Sequence, residues 1–99
     1  MKVRLSARAR REVKRSDAWW QQHRPAVPTL FVDELSATLT LIEKMPELGQ
    51  SYDAGTRYLV QRLLMKKTGY HAYYVRKSDD LIVVVSVWGA RRRRGPRLR

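Results

Sequence analysis

Cysteine is absent from this chain, histidine occurs twice, and acidic residues number nine against 21 lysines and arginines. The first absence excludes a disulfide framework and any thiolate metal centre, and it fits a reducing compartment. No metal and no organic cofactor is expected. Long apolar runs are missing too: the longest, Leu81-Ile82-Val83-Val84-Val85, falls far below the roughly 20 residues that span a bilayer. The arginine-rich start lacks the apolar stretch of a secretory leader, and Glu12 and Asp17 interrupt any likeness to a transit peptide. The expected location is therefore cytoplasmic, with no membrane partner.

What the chain has is basic charge. A formal net charge of +12 on 99 residues exceeds what solubility asks of a small domain and points to an anionic partner. Residues 1–24 carry eight Lys/Arg against two acids, residues 25–65 three against five, and residues 66–99 ten against two. The excess sits at the two ends, which build one basic face if the fold brings them together. Hydrophobic residues at 43% suffice for a single small core. The expected organisation is one domain over residues 1–94, followed by a basic tail over residues 95–99.

Periodicity orders the elements. Residues 2–6, KVRLS, alternate charged and apolar and read as a strand with Val3 and Leu5 on one face; Ser6 can cap a helix. From residue 7 to about 23, Ala9, Val13 and Trp20 mark the buried side of a basic helix, with Arg8, Arg11, Glu12, Lys14 and Arg15 outward. After the prolines of HRPAVP, a second helix over about residues 28–44 carries the stripe Phe31, Leu35, Leu39 and Ile42. The turn-rich MPELGQSYDAG follows. Three strands over about residues 56–66, 70–77 and 81–88, joined by short turns, then form an antiparallel meander. In the last, Leu81, Val83, Val85 and Val87 are expected on one face, with Ile82 and Val84 on the other, as in an interior strand. The fold class is α+β: an N-terminal strand, a helical hairpin and a three-stranded meander, forming one twisted antiparallel sheet packed on two helices.

The helical hairpin, MPELGQ after it, TRYL opening a strand, GYHAYYV, and DDLIVVVSVWGARR follow one another in this order. Over residues 2–94 they resemble the RelE/ParE family of bacterial toxins, the toxic halves of type II toxin–antitoxin modules. The resemblance implies a helical hairpin on a twisted sheet, in agreement with the periodicity. It also implies a cognate antitoxin and one of two targets: DNA gyrase for ParE-like members, or the ribosome and its mRNA for RelE-like endoribonucleases. One scaffold serves both, so fold alone does not choose.

Cleaving RNA through its ribose hydroxyl takes a proton acceptor, a donor and cations for the phosphate. RelE-like members commonly place a His or Tyr near the end of the last strand, whereas nothing from Trp88 to Arg99 can act as acid or base near neutral pH. This departure favours a gyrase inhibitor without catalysis. In the ribonuclease alternative, His71 and Tyr73 would move protons beside Arg57 or Arg62; a third reading is a small basic nucleic-acid-binding protein. Arg57 and the run Arg91, Arg92, Arg93 and Arg94 are the expected target contacts, unless Arg57 is a structural residue paired with Asp53. Trp19, with Arg15 and Arg11 on the same helix, is the expected antitoxin contact. Trp20 and Trp88 are read as core, His23 as structural, and the end beyond Gly95 as irregular and exposed because Pro96 continues neither helix nor strand.

Overall fold

The computed structural model describes residues 1–92 and 94–98. Its elements are β1 (Lys2–Leu5), α1 (Ala7–His23), α2 (Leu30–Lys44), a 3₁₀ turn (Pro46–Leu48), β2 (Gln50–Tyr52), β3 (Val60–Met65), β4 (Tyr70–Ser78) and β5 (Leu81–Gly89). The class is the expected α+β: two helices on an open five-stranded sheet in the order β1-β5-β4-β3-β2.

Ser6 caps α1, its Oγ accepting from the Ala9 N–H at 3.1 Å. The second helix begins at Leu30 rather than Pro28; Thr29 precedes it and donates its hydroxyl to Asp33. Phe31, Leu35 and Ile42 are buried along α2, and Ala9 and Trp20 along α1, against Met65, Ala72, Tyr74, Ile82, Val84 and Val87 of the sheet. This is the main core. Tyr74 ties the turn after α2 to it, donating to the Pro46 carbonyl at 2.6 Å and accepting from Gly49 N–H at 2.9 Å. Glu34 of α2 closes the β3–β4 turn by accepting from the Lys67 and Thr68 N–H groups and the Thr68 hydroxyl.

Three expectations about the sheet are corrected. It is mixed, because β1 runs parallel to β5 while the other pairings are antiparallel. The cause is β2, a strand hidden in the turn-rich segment: the extra reversal it adds brings β5 out in the direction of β1. The strand expected from residue 56 starts at Val60, with Thr56–Leu59 left in the preceding loop. Third, Val87 joins Ile82 and Val84 on the helix side, whereas Leu81, Val83 and Val85 face away. A register shift, with Tyr73 opposite Ser86 and Tyr74 opposite Val84, leaves Val85 as an extra residue that inverts the alternation.

Glu12 is the fourth correction. It is buried rather than outward, its Oε1 accepting from Ser86 Oγ at 2.7 Å and Val87 N–H at 3.0 Å. Arg8 pairs with its other oxygen at 3.2 Å. The carboxylate thus supplies an acceptor at the bulged end of β5, where ladder pairing is disturbed.

Candidate functional site

The sheet face turned away from the helices carries a second apolar cluster, Val60, Tyr73, Val75 and Val83, with Tyr52, Trp88 and Leu98 packed around it. Alternation on β3 and β4 brings three expected residues together there. Arg62 lies opposite Tyr73 in the ladder, and His71 lies two residues before Tyr73 on the same face. The Arg62 guanidinium stands 5.1 Å from the Tyr52 ring centre, Tyr52 meets Tyr73 edge-on at 4.8 Å, and His71 meets Tyr73 at 5.8 Å. Burial, then the charge of Arg62, holds the His71 imidazole below its ordinary value of 6.5. Burial pushes the Tyr73 phenol up, partly offset by Arg62. The group therefore offers a neutral imidazole, a protonated phenol and one guanidinium whose buried Nε has no hydrogen-bond partner among the described residues.

Arg57 does not join them. It is exposed in the loop before β3, lining a hollow with Tyr58, Val75 and Lys77. Nor does it pair with Asp53, whose carboxylate accepts from Gly55 N–H at 3.0 Å; among the described residues the only ion pair is Arg8–Glu12.

The end of the chain is irregular, as expected, but it is not free. Pro96 is buried, and Leu98 packs on the second apolar cluster. The Trp88 indole N–H donates to the Arg94 carbonyl at 2.8 Å, and Arg8 reaches the Arg97 carbonyl. Gly95 sits so close to the Tyr52 hydroxyl that a Cβ there would force the chain end or the Tyr52 ring to shift. Arg91 and Arg92 are exposed in the turn after β5, with the Arg92 guanidinium 4.2 Å over the Trp88 ring. Trp88 thus serves both as packing residue and as arginine platform. Arg93 lies outside the described residues.

On α1, Trp20 is buried and Trp19 is 43% exposed. His23 stacks on Trp19 at 4.7 Å and its Nδ1 lies 3.0 Å from the Trp19 carbonyl, a local structural role. Arg15 and Trp19 line a hollow with Trp88 and Arg92, so helix and chain end do build one basic surface; Arg11 is exposed on α1 outside that hollow.

A small α+β domain with a helical hairpin on one face of an open mixed sheet, and basic residues gathered where α1 meets the end of β5, is the class these features define. Residues 3–94 match the family model of the ParE toxin of type II toxin–antitoxin systems, parDE. The chain belongs to that family and is a toxin-type component of a toxin–antitoxin system, which implies an antitoxin partner. No curated protein matches the sequence. No helix among the described residues is long and apolar enough to cross a membrane.

Proposed function

We propose that this toxin acts in the cytoplasm as a non-catalytic inhibitor of DNA gyrase, neutralised by its cognate antitoxin. The observation carrying this reading is the state of the sheet face that a ribonuclease would offer to mRNA. Tyr73 is only 2% exposed there, Leu98 packs on the cluster around it, and Pro96 is buried nearby. Proton transfer to a bound phosphodiester needs its donor within hydrogen-bond reach of substrate, and this phenol is covered by its own chain. The exposed guanidiniums of Arg57, Arg91, Arg92 and Arg94, together with Arg93, are the proposed target contacts. Trp19, Arg15 and Arg11 are the proposed antitoxin contacts.

The test is growth arrest together with a supercoiling assay on purified gyrase. Wild type and His71→Ala should inhibit alike, since no proton transfer is involved. Ribosome-bound mRNA cut at defined positions by wild type and not by His71→Ala, with gyrase unaffected, would establish the ribonuclease alternative instead.

A further inference from the structure

We propose that the hollow between the loop over residues 55–58 and the chain end, on the sheet face turned away from the helices, binds a small amphipathic acid: an alkyl chain carrying one carboxylate. Its occupancy requires neither antitoxin nor gyrase. The hollow measures about 440 Å³, within the range of roughly 300–1,000 Å³ that holds small ligands. Val60 of β3, Val75 of β4 and Val85 of β5, from three neighbouring strands, form its floor. Leu98 closes one side. The loop forms the other, fixed by the Asp53 carboxylate accepting from Gly55 N–H at 3.0 Å and by the Thr56 hydroxyl donating to the Tyr58 carbonyl at 2.9 Å.

Charge places the head group. Arg57 and Lys77 are exposed and line the same hollow, and neither has a carboxylate within 4.0 Å among the described residues, where Arg8–Glu12 is the only ion pair. Among the described residues no acid stands in the lining. The 780 Å³ hollow that Leu98 shares with Tyr52 and Pro96 differs in this respect, because Asp53 lines it and opposes an anion. Lys77 Nζ rests 3.9 Å from the Tyr58 ring centre. That contact orients the ammonium group and leaves N–H donors for a carboxylate oxygen.

The floor selects an aliphatic body. A nucleotide is also an anion, but its base binds through a free ring face and through hydrogen bonds to its edge. Lys77 already lies over Tyr58, and the side chains of three valines and a leucine offer neither donor nor acceptor. An inorganic anion would engage the two cations and leave the apolar floor wet. An alkyl carboxylate uses both, and each methylene taken fully out of water is worth roughly fourfold in affinity.

The test uses the purified full chain and three probes below their micelle-forming concentrations: decanoate, hexanoate and the neutral 1-decanol. Calorimetry measures affinity and stoichiometry, and backbone amide NMR shifts locate the ligand. Decanoate should bind one to one, at least about tenfold more tightly than hexanoate, with the shifts centred on Arg57, Tyr58, Val85 and Leu98. Arg57→Ser/Lys77→Ser should weaken it by about five- to tenfold and leave 1-decanol unaffected. The charge-matched control Arg10→Ser/Lys14→Ser, on α1 and the other side of the sheet, should bind decanoate like wild type. Equal losses in both double variants would reduce the effect to net charge and overturn the site. Equal affinity for hexanoate and decanoate would overturn the apolar floor, and shifts centred on the helices instead would place the ligand elsewhere and refute the proposal.

Discussion

Replacing Glu12 by Ala should be among the most damaging single substitutions in this protein, although the residue sits in a run of surface charges. The substitution removes the acceptor shared by Ser86 Oγ and the Val87 N–H. Leaving the buried Val87 amide without a partner costs about 1–3 kcal/mol, and loss of the Ser86 hydrogen bond adds about 1 kcal/mol. The Arg8 pair at (i, i+4) contributes only a few tenths of a kcal/mol. A total near 3 kcal/mol lowers the melting temperature by roughly 12–24 °C in a domain of this size. Glu12→Gln keeps a carbonyl oxygen near the same place and should cost about 1 kcal/mol. Circular dichroism melts of wild type, Glu12→Ala, Glu12→Gln, Ser86→Ala and the Glu12→Ala/Ser86→Ala double variant measure this, and the double variant should be less destabilised than the sum of its parts. The reasoning fails if Glu12→Ala melts within about 4 °C of wild type, or if Glu12→Gln proves the worse of the two.

Tyr74→Phe loses the bonds to the Pro46 carbonyl and Gly49 N–H and should cost about 1–3 kcal/mol in urea unfolding, with faster proteolysis around residues 46–49. Gly95→Ala places a methyl group against the Tyr52 hydroxyl; the chain end should lift, which trypsin cleavage after Arg94 and Arg97 reads directly, while unchanged cleavage would contradict the packing described. Because burial and Arg62 hold His71 below 6.5 in the folded state, the unfolded chain takes up that proton first as pH falls. The associated stability is present above pH 6.5 and is lost as pH falls from there through the lowered folded value. Melting temperatures from about pH 7.5 to about pH 5 should therefore fall less steeply in His71→Gln than in wild type.

The helices were legible because their signals are local: Ser6 as a cap, and Phe31, Leu35 and Ile42 on one stripe. The meander was legible from its turns and the apolar density of β5. What sequence reading missed depends on contacts distant in the chain. Glu12 lies among basic residues, and nothing local shows that Ser86 and Val87, more than 70 residues away, need its oxygen. The three residues of β2 are too few to show alternation. The bulge at Val85 carries no glycine to mark it, and with Val87 apolar either face looks acceptable. The convergence of Arg62, His71 and Tyr73 followed from alternation on neighbouring strands, whereas Arg57 was assigned to a strand that begins three residues later. The packing of Leu98 on the second apolar cluster and the burial of Pro96 were hidden under the charge of the arginines around them.

The parallel pairing of β1 with β5 sets a timetable for synthesis. The ribosome makes β1 first, yet its hydrogen-bonding neighbour Leu81–Val84 comes after every other element has been translated. Until then β1 has no strand to join, the α1 carboxylate at Glu12 has no donors on β5, and β4 lacks its most extensive neighbour. A chain interrupted anywhere before Leu81 is thus not a smaller version of the toxin but an open set of helices and a partial sheet, a substrate for proteases. The sheet closes only with the last strand, so a message translated incompletely yields no fraction of the finished fold.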